Sequence, residues 1–292
     1  MKLPSPSDFG SHNVHTASFL ECTKLCTIIG QIAELQLEKR AIDSEESSRL
    51  TQALSTWARE VPVELHLYDS ATGARNKFDR VASELFILYF AAIILLQHLK
   101  GGTDPQQHTS IKCLIASSCM IHLYEEIVFR EQTCFLRPLN AFLCMVASLP
   151  QIYYKPRSAE KRAVRENELG ILCAVLEQMQ VKYGGSEMVL RKILKLKRNL
   201  DASLDAQTLD SEPVGAPRSP VSSGTGARLK DLFPFPVSMC GHMDLIQWDG
   251  DLEEYSAESF VPMENEWVSW LSTEDWDLTG LLEMYPGMAD AI

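Results

Sequence analysis

Several signatures that would assign a chemistry on sight are missing from this 292-residue sequence. It contains no Cys-x-x-Cys, and its eight cysteines, at 22, 26, 113, 119, 134, 144, 173 and 240, are dispersed among mostly apolar neighbours. A structural zinc site ordinarily shows two short-spaced ligand pairs. Cys22 and Cys26, one helical turn apart, have no His or second pair beside them. Reduced core thiols are the expected state. Also missing are a phosphate-cradling glycine loop of the P-loop or Rossmann kind, a Gly-x-Ser-x-Gly elbow and a His-Glu-x-x-His helix. The seven histidines (12, 15, 66, 98, 108, 122 and 242) form no local ligand set. His66, His98 and His122 read as packed or surface residues. The acid pairs Glu45–Glu46 and Glu125–Glu126 read as solvated helix faces. These absences argue against an enzyme, and no catalytic, cofactor-binding or metal-ligating residue is assigned.

Long hydrophobic runs are scarce as well. The most apolar stretch, "LFILYFAAIILL" at 85–96, has 12 residues, where a membrane-spanning helix needs about 20. It predicts a buried core helix. The opening "MKLPSPSDFGSH" is polar and has no apolar centre, so no secretory leader is expected. These features predict a soluble intracellular protein with no membrane partner.

Basic charge is absent from one part of the chain. The sequence carries 27 Lys and Arg against 39 Asp and Glu, a net charge of −12. From position 231 to the end there are 14 acids and no Lys or Arg, which leaves residues 1–230 at a net +2. A near-neutral body is joined to a strongly acidic tail, and that asymmetry points to an interaction segment.

What is present in the body is helical periodicity. Leu25, Ile28, Ile29, Ile32 and Leu35 recur at helical spacing. Asp43 and Ser44 suit a helix start before "EESSRLTQALSTWAREVP", and Pro62 a stop. A long helix is predicted from about Phe78 to Lys100, with Gly101 as its cap. Two buried helices follow in "HTSIKCLIASSCMIHLYEEIVF" and "PLNAFLCMVASL", the second opened by Pro138 and stopped by Pro150. Leu169, Leu172, Cys173, Leu176 and Met179 mark one further helical face, and Val189, Ile193, Leu196 and Leu200 another. With few alternating strand patterns, the body (1–200) is predicted to be all-α and multi-helical. A Pro/Gly/Ser-rich linker (201–230) and an acidic aromatic tail (231–292), disordered or partly helical, complete the organisation. The basic stretches "KPRSAEKRAVR" (155–165) and "RKILKLKR" (191–198) are candidate import signals. The alternating apolar residues of the second fit equally a core stripe with a wet charged face, and neither has the context of a DNA reader.

"TQALSTWAREVPVELHLYDS" followed by "ELFILYFAAIILLQHLKG" resembles the middle of the fungal-specific transcription factor domain. That domain is the helical regulatory region of the Zn2Cys6 binuclear-cluster transcription factors. Leu50, Leu54, Trp57, Val61 and Pro62 fill the places of its leucine-rich helix and "LP"-like stop. His98 stands where the family commonly has "LHRP", but Leu99 and Lys100 replace the Arg-Pro. "IKCLIASSCMIHLYEE" is similar to the family's next helix. "LPSPSDFGSH" and "LCTIIGQIAEL" resemble the approach to this region. The six-cysteine zinc cluster is absent from this chain, so DNA contact and zinc are not carried over; DNA would be reached only through a separate module. The resemblance implies a nuclear transcription regulator of metabolic or secondary-metabolite genes, with a small-molecule effector and transcriptional coactivators as partners.

The tail fits that implication. Acids in "EWVSWLSTEDWDLTGLLEMY" surround Trp267, Trp270, Leu271, Trp276, Leu278 and Leu281. In such segments acids keep apolar side chains solvated until these insert into a partner's groove. "DLIQWDGDLEEY" repeats the recipe with Leu245, Trp248 and Leu252. The alternatives are a tail that folds back onto the body, and an all-α scaffold or adaptor that works outside transcription.

Overall fold

The computed structural model describes residues 4–10, 13–38, 42–69, 71–100, 110–156, 158–207, 229–247 and 260. Among them are eight α-helices and no strand. The helices are α1 (Val14–Leu37), α2 (Ser44–Glu60), α3 (Arg80–Lys100), α4 (Ile111–Phe129), α5 (Leu139–Tyr153), α6 (Ala159–Met179), α7 (Gly185–Gln207) and the single-turn α8 (Leu229–Leu232). The body is all-α, as its periodicity predicts.

Five of the long helices, α1 to α4 and α6, begin where a polar side chain can satisfy the orphan amides of a first turn. Asn13 accepts from the Thr16 N–H at 2.9 Å, Asp43 from Glu46 at 2.7 Å, Ser110 from Cys113 at 3.3 Å and Ser158 from Lys161 at 3.1 Å. Asp79 takes the Val81 and Ala82 amides at 2.8 and 3.1 Å. The α3 start therefore lies two residues beyond the expected Phe78. One expected stop is corrected. Pro150 sits inside α5, which runs on to Tyr153. Proline disturbs the turn before it, whereas its own carbonyl stays free, and here it accepts from the Tyr154 N–H at 3.1 Å.

Helices α3 and α4 pack on one another most extensively and form the centre. Helices α1 and α2 cover one side of α3, while α5 and α6 pack on α4 and α7 packs on α5 and α6. The α3 helix is long and apolar enough to cross a membrane, but 83% of its most apolar window is buried within the fold. That is the position of a core helix, in agreement with the reading of 85–96. Its aromatic face organises the interior. Trp57 of α2 stacks on Tyr89 at 5.2 Å and meets Phe86 edge-on at 5.7 Å, while its indole N–H donates to the Glu21 carbonyl of α1 at 3.2 Å. One tryptophan thus joins three helices.

The predicted apolar stripes mostly face inward. Leu25, Ile32 and Leu35 are buried, with Ile28 and Ile29 at the margin. On α6, Leu169, Leu172, Leu176 and Met179 are buried and Cys173 is partly covered. On α7, Val189, Ile193 and Leu196 are buried while Arg191, Lys195 and Arg198 are exposed. The "RKILKLKR" stretch therefore has the core stripe and wet face that its alternation allowed.

Candidate functional site

The coactivator-contact residues expected from sequence, Trp267, Trp270, Leu271, Trp276, Leu278 and Leu281, lie outside the described residues. The structure does describe how the acidic part of the chain begins, and there it brings together a group that sequence reasoning missed.

Residues 229–247 lie across the body as a C-terminal segment of short turns: α8, then 3-10 turns at Val237–Met239 and Met243–Gln247. Three kinds of contact hold it. The Tyr89 hydroxyl donates to the Leu232 carbonyl at 2.8 Å, inside the core. Phe233 stacks on Phe90 with nearly parallel rings 6.2 Å apart, and Phe235 meets Phe86 and Phe90 at 5.7 and 5.4 Å. Lys161 of α6 donates to the Gly241 carbonyl at 2.9 Å and to the Asp244 carboxylate at 2.9 and 3.0 Å. Leu232, Phe233, Met239, Met243 and Leu245 are all buried. Burying each such side chain contributes about 1.5–3 kcal/mol, which outweighs the partly screened ion pair. Gly241 sits close to α6: a Cβ there would lie 3.0 Å from the Val164 side chain, which would have to give way.

Beneath this segment lies a buried polar cluster. Ser118 and Cys119 come from α4, Gln151 and Tyr154 from the end of α5, Glu168 from α6, and Cys240 and His242 from the segment. The Ser118 hydroxyl donates to Glu168 Oε1. The His242 Nε2 stands 3.8 Å from Glu168 Oε2, too far for a hydrogen bond, and the Tyr154 ring meets the imidazole edge-on at 5.4 Å. Burial raises the Glu168 carboxyl to about 7, against the opposing pull of the Ser118 hydrogen bond and the Lys161 charge. Burial also lowers His242 to about 4, helped by Lys161. From about pH 4.5 to 6.5 both groups are therefore neutral in the fold, and their approach is a contact between neutral groups rather than an ion pair.

The sulfurs of Cys119 and Cys240 lie 3.6 Å apart, with Met243 Sδ 4.0 Å from Cys119. Burial holds the Cys119 thiol well above its ordinary range. Burial also pushes Cys240 up, but hydrogen bonds from Cys119, from Ser118 and from the His242 backbone N–H outweigh it and leave this thiol lowered. No disulfide joins any of the eight cysteines, and the sulfurs of Cys22 and Cys26 are 4.0 Å apart on α1. No group of three or more His, Cys, Asp or Glu is placed to hold a metal ion among the described residues.

Of the other residues singled out by sequence, His66 is half-buried, with Nε2 2.8 Å from the Val61 carbonyl. His98 is buried on α3, and His122 is half-exposed beside Glu125. Glu126 is engaged rather than merely solvated, pairing with Arg75 at 2.5 Å and Arg130 at 3.1 Å. In the basic 155–165 stretch, Lys161 is committed to the C-terminal segment and Arg165 is buried, 3.4 Å from Asp201.

The cluster is illegible in sequence because its members are scattered. Cys119 and Cys240 are 121 positions apart, and Ser118 and Glu168 are 50 apart. One local signal exists: Arg165 and Glu168 interrupt the inward-facing side of α6, where charged residues need partners. No family model, no curated protein and no solved structure matches this chain.

Proposed function

We propose that this chain is a non-enzymatic helical regulator that acts by binding other proteins, with the acidic aromatic segment beyond Phe260 as its contact element. The observation that carries the reading is the way the acidic region divides. Its first part is committed to the body through Phe233, Phe235 and the Lys161–Asp244 pair. Phe260, buried beside Tyr154 at 5.6 Å, is the last described residue. The remaining stretch, 261–292, holds seven acids, Trp267, Trp270 and Trp276, and no Lys or Arg. Tryptophans among acids supply what a partner groove needs: large apolar anchors kept soluble by charge.

The geometry favours the broad form of this reading, an all-α scaffold or adaptor, over any narrower one. Transcription is the second reading, and the observation that favours it is the sequence resemblance to the fungal Zn2Cys6 regulatory domain. Trp57, Val61 and Pro62, which carry part of that resemblance, occupy the α2 end against α3. In this second reading the partner is a coactivator, the site of action is the nucleus and DNA is reached through a separate module.

Fusion of residues 261–292 to an unrelated DNA-binding domain separates the two. Reporter activation that falls at least to a tenth when Trp267, Trp270 and Trp276 become Ala supports transcription. An inactive fusion removes that reading. The broader reading is then decided by affinity capture with the full chain, where partners must be lost in the same triple variant; unchanged capture overturns the tail as contact element.

A further inference from the structure

The two thiols that meet beneath the C-terminal segment differ in the ways an oxidisable pair requires. Cys240 is partly exposed, on a segment of short turns, while Cys119 is fully buried on α4. Their sulfurs are in van der Waals contact at 3.6 Å, and a disulfide requires closure to about 2.05 Å. The movable partner is the segment, since α4 is clamped by α3, α5 and α6. We propose that Cys240 is an oxidation site for hydroperoxides and Cys119 its resolving thiol, the product being a disulfide that fastens the C-terminal segment to α4.

The steps balance. The Cys240 thiolate attacks the terminal peroxide oxygen, the O–O bond breaks, and the alkoxide, or hydroxide where the oxidant is hydrogen peroxide, leaves and takes up a proton; Cys240 becomes a sulfenic acid and the peroxide is reduced. The Cys119 sulfur then attacks the Cys240 sulfur, the S–O bond breaks, and the departing hydroxide takes the Cys119 proton as water. Two thiols and one hydroperoxide give one disulfide, one water and one alcohol, or two waters where the oxidant is hydrogen peroxide. Hydrogen bonds from Ser118, Cys119 and the His242 backbone N–H favour the thiolate at Cys240 over one at Cys119. The order of the two steps follows from that difference and from exposure.

The sequence supplies a convenient assay. No Lys or Arg follows Lys230, so trypsin releases 231–292 as one piece, whose sole cysteine is Cys240. The native full chain is treated with hydrogen peroxide, alkylated, digested and mapped without reductant. The expected result is loss of two of the eight thiols and a cross-linked species joining 231–292 to the α4 peptide that carries Cys119. This link persists in C113S, which removes the other cysteine of that peptide, and in the C22S/C26S double variant. In C119S, and in C119A should the serine disturb the core, the link disappears and dimedone traps a sulfenic acid on Cys240. Retention of both thiols, or a link confined to Cys22 and Cys26, overturns the proposal. Mapping the native chain requires no variant to fold, so the proposal stays testable whatever the substitutions do.

Discussion

At the scale of single residues, Glu168 and His242 oppose one another across the pH range. A carboxyl raised from 4.5 to about 7 holds its proton in the fold after the unfolded chain has lost it. Its contribution is therefore complete below about pH 4.5 and fades as pH rises through 7. A histidine lowered from 6.5 to about 4 stays neutral in the fold, and its contribution is present above 6.5 and fades as pH falls through 4. Between about 4.5 and 6.5 the slopes cancel. E168Q should uncover the histidine, making stability climb with pH over that interval relative to the parent, by on the order of 2–3 kcal/mol. H242N should uncover the carboxyl and give the opposite slope. Urea midpoints measured from pH 4 to 8 check both, with Lys161, Asp244 and Glu125 the other charges nearby. Y89F deletes the donor to the Leu232 carbonyl in a buried site and should cost about 1–2 kcal/mol in the same assay. None of this is legible in the sequence, where His242 is one histidine among seven and Glu168 one acid on a helix. A titration depends on which side chains close over it, and these come from three helices and a distant segment.

At the scale of elements, the sequence reading succeeds wherever local chemistry decides the outcome. Asp43 and Pro138 open their helices as their residue types demand, and the stripes on α6 and α7 face inward. Pro150 misleads because a proline forbids helix in the turn before it only when that turn cannot give up one hydrogen bond, and the packing of α5 supports the loss. The C-terminus of α4 offers a test of the same kind. Glu131 adopts φ 58°, and its amide and that of Gln132 return to the Val128 and Ile127 carbonyls at 2.9 and 3.0 Å. That is a helix-ending arrangement in which glycine is the preferred residue. Glu131 is exposed, so Glu131→Gly should raise stability by up to about 1 kcal/mol, read as a higher midpoint in denaturant. F233A should act in the opposite direction. Loss of the ring stacked on Phe90 costs about 3–5 kcal/mol, and hydrogen exchange should then quicken first in 229–247, before it does in α4.

At the scale of the whole molecule, the charge boundary read at 231 falls within α8, because segregation of charge reports composition and not docking. Residues 231–247 belong to the acidic, Lys- and Arg-free part of the chain, yet Phe233, Met239 and Met243 make them part of the core. Truncation should expose the difference. A chain ending at 260 should keep the parental thermal midpoint. A chain ending at 228 uncovers Phe86, Tyr89 and Phe90 and should aggregate or melt well below the parent in the same scan. The aromatic face of α3 has a further consequence, concerning time. Tyr89 and Leu232 are 143 positions apart, and a ribosome adding about 5–20 residues per second needs on the order of ten seconds to travel between them. For that interval the nascent helix presents phenylalanines with no cover from residues 229–247. The emerging polypeptide is thus expected to need a holding chaperone until residues 229–247 have left the ribosome.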